Sequence, residues 1–277
     1  FGCAMKIEAT TDRRDALPGA DFVVVAVCRK RWELWEQDYR IPMSHGFHHV
    51  LGENGGPGAL FHTLRSLDLI IPICRDIETL CPNAWMLNFT NPEARVLHAI
   101  NHLTNVRAGG FCHGVFYAVK QLADYLGRPE ESLDVTSAGM NHFFCILKCL
   151  DRDTGEDLLP AALAKAQAET DPHLQLFRKM AEIYDVFLFP SDDHIGEYLA
   201  YGNSYHGTKW SYGLEQRVLT PDTPVEADTL AEYAAGDRPI DEPWVLRPSG
   251  ESVVPVIADM FLDRGNRHLA INVLNDG

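Results

Sequence analysis

No stretch of this sequence approaches the roughly 18 consecutive apolar residues of a membrane-spanning helix. The longest apolar runs are short pieces such as Phe22 to Val27, so no membrane span is expected. Basic residues are scarce too: 24 Lys and Arg stand against 39 Asp and Glu, a formal net charge of −15. A surface of that sign repels phosphates and anionic lipids at long range, which argues against nucleic acid and membrane surfaces as partners and leaves a small, locally selected ligand open. The 7 cysteines in 277 residues are too few, too irregularly spaced and odd in number for a secreted disulfide framework. They point to a reducing, cytoplasmic compartment. There is no internal repeat and no low-complexity tract. The glycine-rich segment Gly52 to Gly58 lacks GxGxxG spacing and follows no strand closely, so by itself it is a weak phosphate signal.

What is present is 46% hydrophobic residues in alternating strand-like and helix-like periods. In the first half this pattern predicts a parallel sheet with crossover helices. Asp21 to Val27 reads as a strand buried on both faces. Residues 59–80 fit a helix with Leu60, Leu64, Leu67, Ile71, Cys74, Ile77 and Leu80 as its apolar stripe, kinked or divided at Pro72. Ala84 to Phe89 is the next strand. Asn91-Pro92 then supplies an N-cap and a first-turn proline for a helix burying Val96, Leu97, Ile100 and Leu103. After the short strand Val106 to Phe111, a helix from about Val115 to Leu126 stops at Gly127. Residues 133–137 and 143–150 alternate as strands, with Met140-Asn141-His142 between them. Residues 161–170 and 173–184 are helical in composition, and 218–255 reads as loops. The expected organisation is α/β: a Rossmann-like doubly wound parallel sheet over 1–131 and an α+β substrate domain over 132–277. The chain begins at Phe1 rather than Met and stops straight after Leu269 to Leu274, so both domains read as incomplete pieces of a longer protein.

In open parallel sheets, ligands bind at the carboxyl ends of the strands. Cys28, the Asn88 to Asn91 segment and Cys112-His113 all fall there. Each has a bland alternative: Asn91 as a helix cap, Cys112 as a small buried hydrophobe, His113 as a polar helix start. Cys112 and His142, 30 positions apart in turns beside strands, could converge on a divalent transition metal, although the spacing alone is weak. Cys145 and Cys149 would share one strand face as core residues. Asp192 or Asp193 either caps the helix that follows Pro190 or acts as a general base.

These residues, taken in order, resemble glycoside hydrolase family 4, the NAD- and metal-dependent glycosidases whose fold is related to lactate and malate dehydrogenases. The resemblance runs through Lys6 to Leu17, Gly19-Ala-Asp-Phe22, Arg40-Ile-Pro42 with Gly52 to Gly58, Asn88 to Pro92, Gly110-Phe-Cys-His-Gly114 and Gly139-Met-Asn-His142. Asn272 and Asn275 to Gly277 resemble the start of another family motif. The resemblance implies that Cys112 and His142 hold a divalent ion, usually Mn2+, together with two sugar hydroxyls. It makes His113 the general acid or its neighbour, places Asn91 and Asn141 on substrate, and puts Asn88 near the nicotinamide of NAD. Asp192 is the first choice for the base at sugar C2, with Asp193 as rival and Tyr198 or Tyr201 as outsiders. The implied route is oxidation at C3, deprotonation at C2, elimination of the leaving group, addition of water and reduction back, which needs no carboxylate pair. The family's glycine-rich dinucleotide turn would precede Phe1. His at 113, rather than Asp or Asn, points to an unphosphorylated α-glycoside or α-uronide. A homo-oligomer is implied as well. The competing readings are a hydroxy-acid dehydrogenase of the same superfamily, which would use a His-Asp relay, and a truncated, non-catalytic module.

Overall fold

The computed structural model describes residues 8–204. The expected loops at 218–255 and the motif at Asn272 to Gly277 lie outside the described residues. Those residues separate into two compact units, one ending at Cys112 and the other beginning at His113.

The first unit opens with a short turn of helix, α1 (Arg13–Ala16), and the strand β1 (Phe22–Val25). Two helices follow, α2 (Arg31–Ser44) and α3 (Gly56–Leu80), then β2 (Trp85–Asn88), α4 (Glu93–Leu103) and β3 (Arg107–Gly110). The three strands form a parallel sheet in the order β1-β2-β3, with Val25, Asn88 and Gly110 in register at their carboxyl ends. This is the α/β arrangement expected. The core consists of residues such as Val25, Ile70, Cys74, Met86, Val96 and Ile100.

Three local expectations are corrected here. β1 is buried on one face only: Phe22 is 45% and Val24 64% exposed, and Trp85 of β2 is likewise outside. α3 runs unbroken through Pro72 and buries Ala59, His62, Ser66, Ile70, Cys74 and Ile77, while Leu60 and Leu64 face solvent. Its buried stripe is therefore rotated from the apolar stripe of the sequence and includes two polar residues. Asn91 does not cap α4: the N-cap is Pro92, without a side-chain bond, and Glu93 is the first helical residue. Leu103 is exposed.

The second unit contains α5 (Gly114–Leu126), β4 (Leu133–Met140), β5 (Phe143–Asp151), α6 (Leu159–Gln167), α7 (Gln175–Tyr184), β6 (Phe187–Leu188) and the short α8 (Asp192–Gly196). α5 ends on Gly127 in the left-handed conformation, which lets its amide return to the Ala123 and Asp124 carbonyls. The boundary expected after residue 131 would have put α5 with the first sheet. Instead its Ala118, Leu122 and Ala123 share a core with Phe144, Ile146, Phe177 and Phe187.

β4 and β5 form an antiparallel hairpin, with β6 pairing the outer edge of β5. The pairing shifts by one: Thr136 lies opposite Lys148 but Ser137 opposite Ile146, leaving Leu147 as an unpaired bulge. Side chains alternate on a strand, so the extra residue inverts the alternation. Phe144 and Ile146 point inward on one side of the bulge, and Cys149 and Asp151 on the other. Cys145 and Cys149 consequently do not share a face. Gly139, opposite Phe144, has φ +141°, and a Cβ there would lie 2.5 Å from the Phe143 carbonyl oxygen. Gly139→Ala is expected to lower stability by about 2–4 kcal/mol through backbone strain and overpacking. A denaturant titration checks this; an unchanged midpoint would contradict the close approach.

Candidate functional site

In the first unit, the expected site residues organise the carboxyl edge of the sheet. Asn88 is fully buried at the end of β2; its Oδ1 accepts from the Thr90 amide and its Nδ2 donates to the Thr90 carbonyl, both at 3.2 Å. The Thr90 hydroxyl in turn accepts from the Val27 amide at 3.0 Å. Asn88 therefore shapes the turn that ends β2. The Asn91 carbonyl accepts from the Ser66 hydroxyl at 2.7 Å, and its half-buried side chain is relieved of the capping role. Cys112, half-buried, is the last residue of this unit, and Cys28 after β1 is exposed.

In the second unit, Asn141 and His142 form the two-residue turn between β4 and β5, His142 at φ +65°. Both are buried. The Tyr198 hydroxyl donates to the Asn141 carbonyl at 2.9 Å and holds the turn down. The Asn141 amide nitrogen is buried without a hydrogen-bond partner among the described residues. The His142 ring stacks on Phe189, with centroids 5.8 Å apart, and meets His194 edge to face at 4.1 Å. Burial is the main cause that holds His142 well below the ordinary imidazole pKa, with His194 and His113 adding to it. A buried imidazole kept neutral is in the form that ligates a metal. Removing the clamp by Tyr198→Phe is expected to cost about 1 kcal/mol, read as a lower thermal midpoint.

Among the described residues, no three His, Cys, Asp or Glu side chains gather as a ready-made ion site. A neutral buried imidazole beside an unpartnered amide suits an open site, in which substrate oxygens complete the coordination. His113 is exposed at the start of α5, and its charge reaches His142.

Asp192, the first choice for the base, is engaged by backbone amides. One of its oxygens accepts from the Leu176 amide and the other from the Phe177 amide, each at 2.7 Å, and the residue is 3% exposed. It caps α7, whose own N-cap, Leu174, has no side-chain acceptor. It does not cap α8, where Ser191 holds the N-cap position. The rival Asp193 stands differently: its Oδ1 lies 2.7 Å from His194 Nδ1 and 2.5 Å from the Ser191 hydroxyl that donates to it. An Asp–His pair thus sits against His142. His194 was passed over in the sequence, where only its place after two aspartates marked it. Of the outsiders, Tyr198 is the turn clamp, and the Tyr201 hydroxyl lies 3.7 Å from the Met180 sulfur.

The profile of "Family 4 glycosyl hydrolase" matches residues 1–128. The expected resemblance to that family is thus found over just under half of the chain. An alpha-glucosidase from Erwinia rhapontici is 27% identical over 98% of this chain and 65% of its own length. An alpha-galacturonidase from Bacillus subtilis (strain 168) is 31% identical over 91% of the chain and 64% of the relative. The chain thus spans under two thirds of the length of these relatives. A crystal structure of a 6-phospho-alpha-glucosidase from gut microorganisms, in complex with NAD and Mn2+, superposes with a TM-score of 0.69 at 22% identity, covering 93% of this chain and 61% of that one. The chain therefore shares the fold of that structure over most of its length.

Proposed function

We propose that this chain is part of a glycosidase that cleaves an unphosphorylated α-glycoside or α-uronide with the help of NAD+ and a divalent ion. The buried neutral His142, with His113 and the Asp193–His194 pair around it, is the observation that carries the reading. The family match over residues 1–128 supports it, as do relatives named for α-glycosidic and α-uronidic substrates. When bound, NAD+ supplies a hydride acceptor for sugar C3 and the ion a Lewis acid for the oxygens at C2 and C3. Cys112 and His142 would hold the ion. Asn91 and Asn141 orient sugar hydroxyls, the unpartnered Asn141 amide being a donor in want of an acceptor. Asn88 supports the nicotinamide end from beneath the turn it shapes. His113, exposed at the head of α5, hands a proton to the leaving oxygen. The proton at C2 goes to His194, which Asp193 holds by its Nδ1. The substrate-side partners are small sugars, and we infer a cytoplasmic homo-oligomer. Among the described residues no helix is long and apolar enough to cross a membrane.

Nitrophenyl α- and β-glycosides and uronides, offered to the full-length natural protein with and without NAD+ and Mn2+, test the reading. Hydrolysis should require both additives, and turnover in D2O should place deuterium at C2. Full turnover without either additive would overturn the route. The Asp–His pair also fits a dehydrogenase relay, and net NADH accumulation with a hydroxy acid would move the protein to that reading.

A further inference from the structure

α4 is the crossover helix between β2 and β3, and its Val96, Leu97 and Ile100 are buried in the core of the first unit. Its outer face carries His98 and His102, both exposed. Residues four apart are neighbours on a helix surface, with Cβ atoms about 5–6 Å apart, so the two side chains stand side by side. Their ring centroids lie 4.2 Å apart, with the planes inclined at 34°. The mechanism above uses neither residue.

The backbone sets which nitrogen of His102 carries the hydrogen. Nδ1 lies 3.2 Å from the His98 carbonyl oxygen. A carbonyl only accepts, so Nδ1 is the donor and the free lone pair belongs to Nε2. Histidines that ligate metals are held in this way, the second ring nitrogen donating to a carbonyl or carboxylate and fixing tautomer and ring orientation. The local field agrees. His102 stands in the last turn of α4, where the summed backbone dipoles leave partial negative charge that favours a cation. The positive side chains near this face are occupied. Arg95, one turn before His98, donates from Nε and Nη2 to the Asn54 carbonyl at 3.0 and 2.6 Å. Arg75 donates to the Leu103 carbonyl at 3.0 Å and pairs with Glu78 at 2.8 Å. Paired imidazoles suit nickel, copper or zinc, whereas magnesium, calcium and manganese prefer oxygen ligands.

We propose that His98 and His102 chelate one divalent ion of the nickel, copper or zinc class on the outer face of α4, with water in the remaining positions. The ligands differ from those of the Cys112 and His142 site, and the binding needs neither NAD+ nor a sugar, so it is independent of the glycosidase reading. The chelate ties two turns of α4 together and stabilises the end of the helix that leads into β3.

The test is calorimetric titration of Ni2+ into the full-length natural protein, stripped with a chelator, beside His98→Gln, His102→Gln and the double variant. Both positions are exposed and Gln is a better helix former than His, so the metal-free thermal midpoint should not fall. The natural protein should bind one Ni2+ equivalent that the double variant lacks. Each single variant should weaken that equivalent by at least about tenfold, and the double variant should weaken it little further, the mark of two ligands on one ion. The rise in thermal midpoint on adding Ni2+ should shrink in all of these variants. His142→Ala should keep the equivalent. Unchanged stoichiometry and affinity in the double variant, losses in the single variants that simply add, or loss of the equivalent in His142→Ala would each overturn the site.

Discussion

Cys112→Ser is expected to abolish binding of the proposed divalent ion and to lower the proposed glycosidase activity by at least 100-fold, with the thermal midpoint almost unmoved. Cys112 is half-buried at the end of its unit, so exchanging sulfur for oxygen creates no cavity. The loss is chemical: a serine hydroxyl stays protonated near neutral pH and is a poor ligand, whereas a thiolate beside an imidazole suits a transition metal. Changes only to the partners around a metal ligand already cost about 10–100-fold, and removing a ligand should exceed that. Metal content after gel filtration, alongside hydrolysis rates, checks the outcome. An unchanged metal content would remove Cys112 from the site, and His142→Ala gives an independent reading of the other ligand.

Asp192→Ala should lower stability strongly, by about 2–4 kcal/mol. It orphans two amides at the N-terminus of α7 and leaves a void at a residue that is 3% exposed. The same site has a pH signature. Burial, the larger cause, outweighs the two amides and, with Asp193 nearby, raises the Asp192 pKa from 3.8 to about 7. The folded state therefore holds the proton more tightly than the unfolded chain does. The stabilisation from this proton is complete below about pH 4 and is lost as pH rises toward 7, with a slope of at most about 1.4 kcal/mol per pH unit. Asp192→Asn should flatten that stretch of the stability profile. A profile identical to that of the unaltered protein would show that Asp192 does not titrate there. Because Asp192 belongs to a helix cap, these effects should appear in denaturation before they appear in kcat.

Elements whose period is uninterrupted were legible in the sequence: α5 with its glycine stop, α6 and α7 are where the pattern puts them, and the β4–β5 strands were placed although the bulge at Leu147 breaks their alternation. The errors have physical causes. α3 was phased by its leucines, yet Leu60 and Leu64 are exposed and the buried positions include His62 and Ser66, the latter donating to the Asn91 carbonyl. A helix that buries polar groups misleads a search for apolar stripes. α2 has no strong apolar period, although Trp35, Asp38 and Tyr39 are buried on it. Asp192 was weighed only against its own helix, because a cap supplied from 16 residues downstream leaves no local trace. Asn88 and Asn91 stand out by their place at a strand end and His142 by its turn beside a strand, whereas the roles expected of them and of Asn141 come from the family resemblance. His194 needed the folded chain to bring it against His142.

The bulge at Leu147 gives the hairpin two independently phased halves. The half nearer the turn takes its inward face from Phe144 and Ile146, and the far half takes its own from Cys149 and Asp151, the latter paired with Arg128. Removing Leu147 would force one phase on both, turning one pair outward. The spare residue thus sets the inward face of each half separately, and with it the facing of the turn that carries Asn141 and His142.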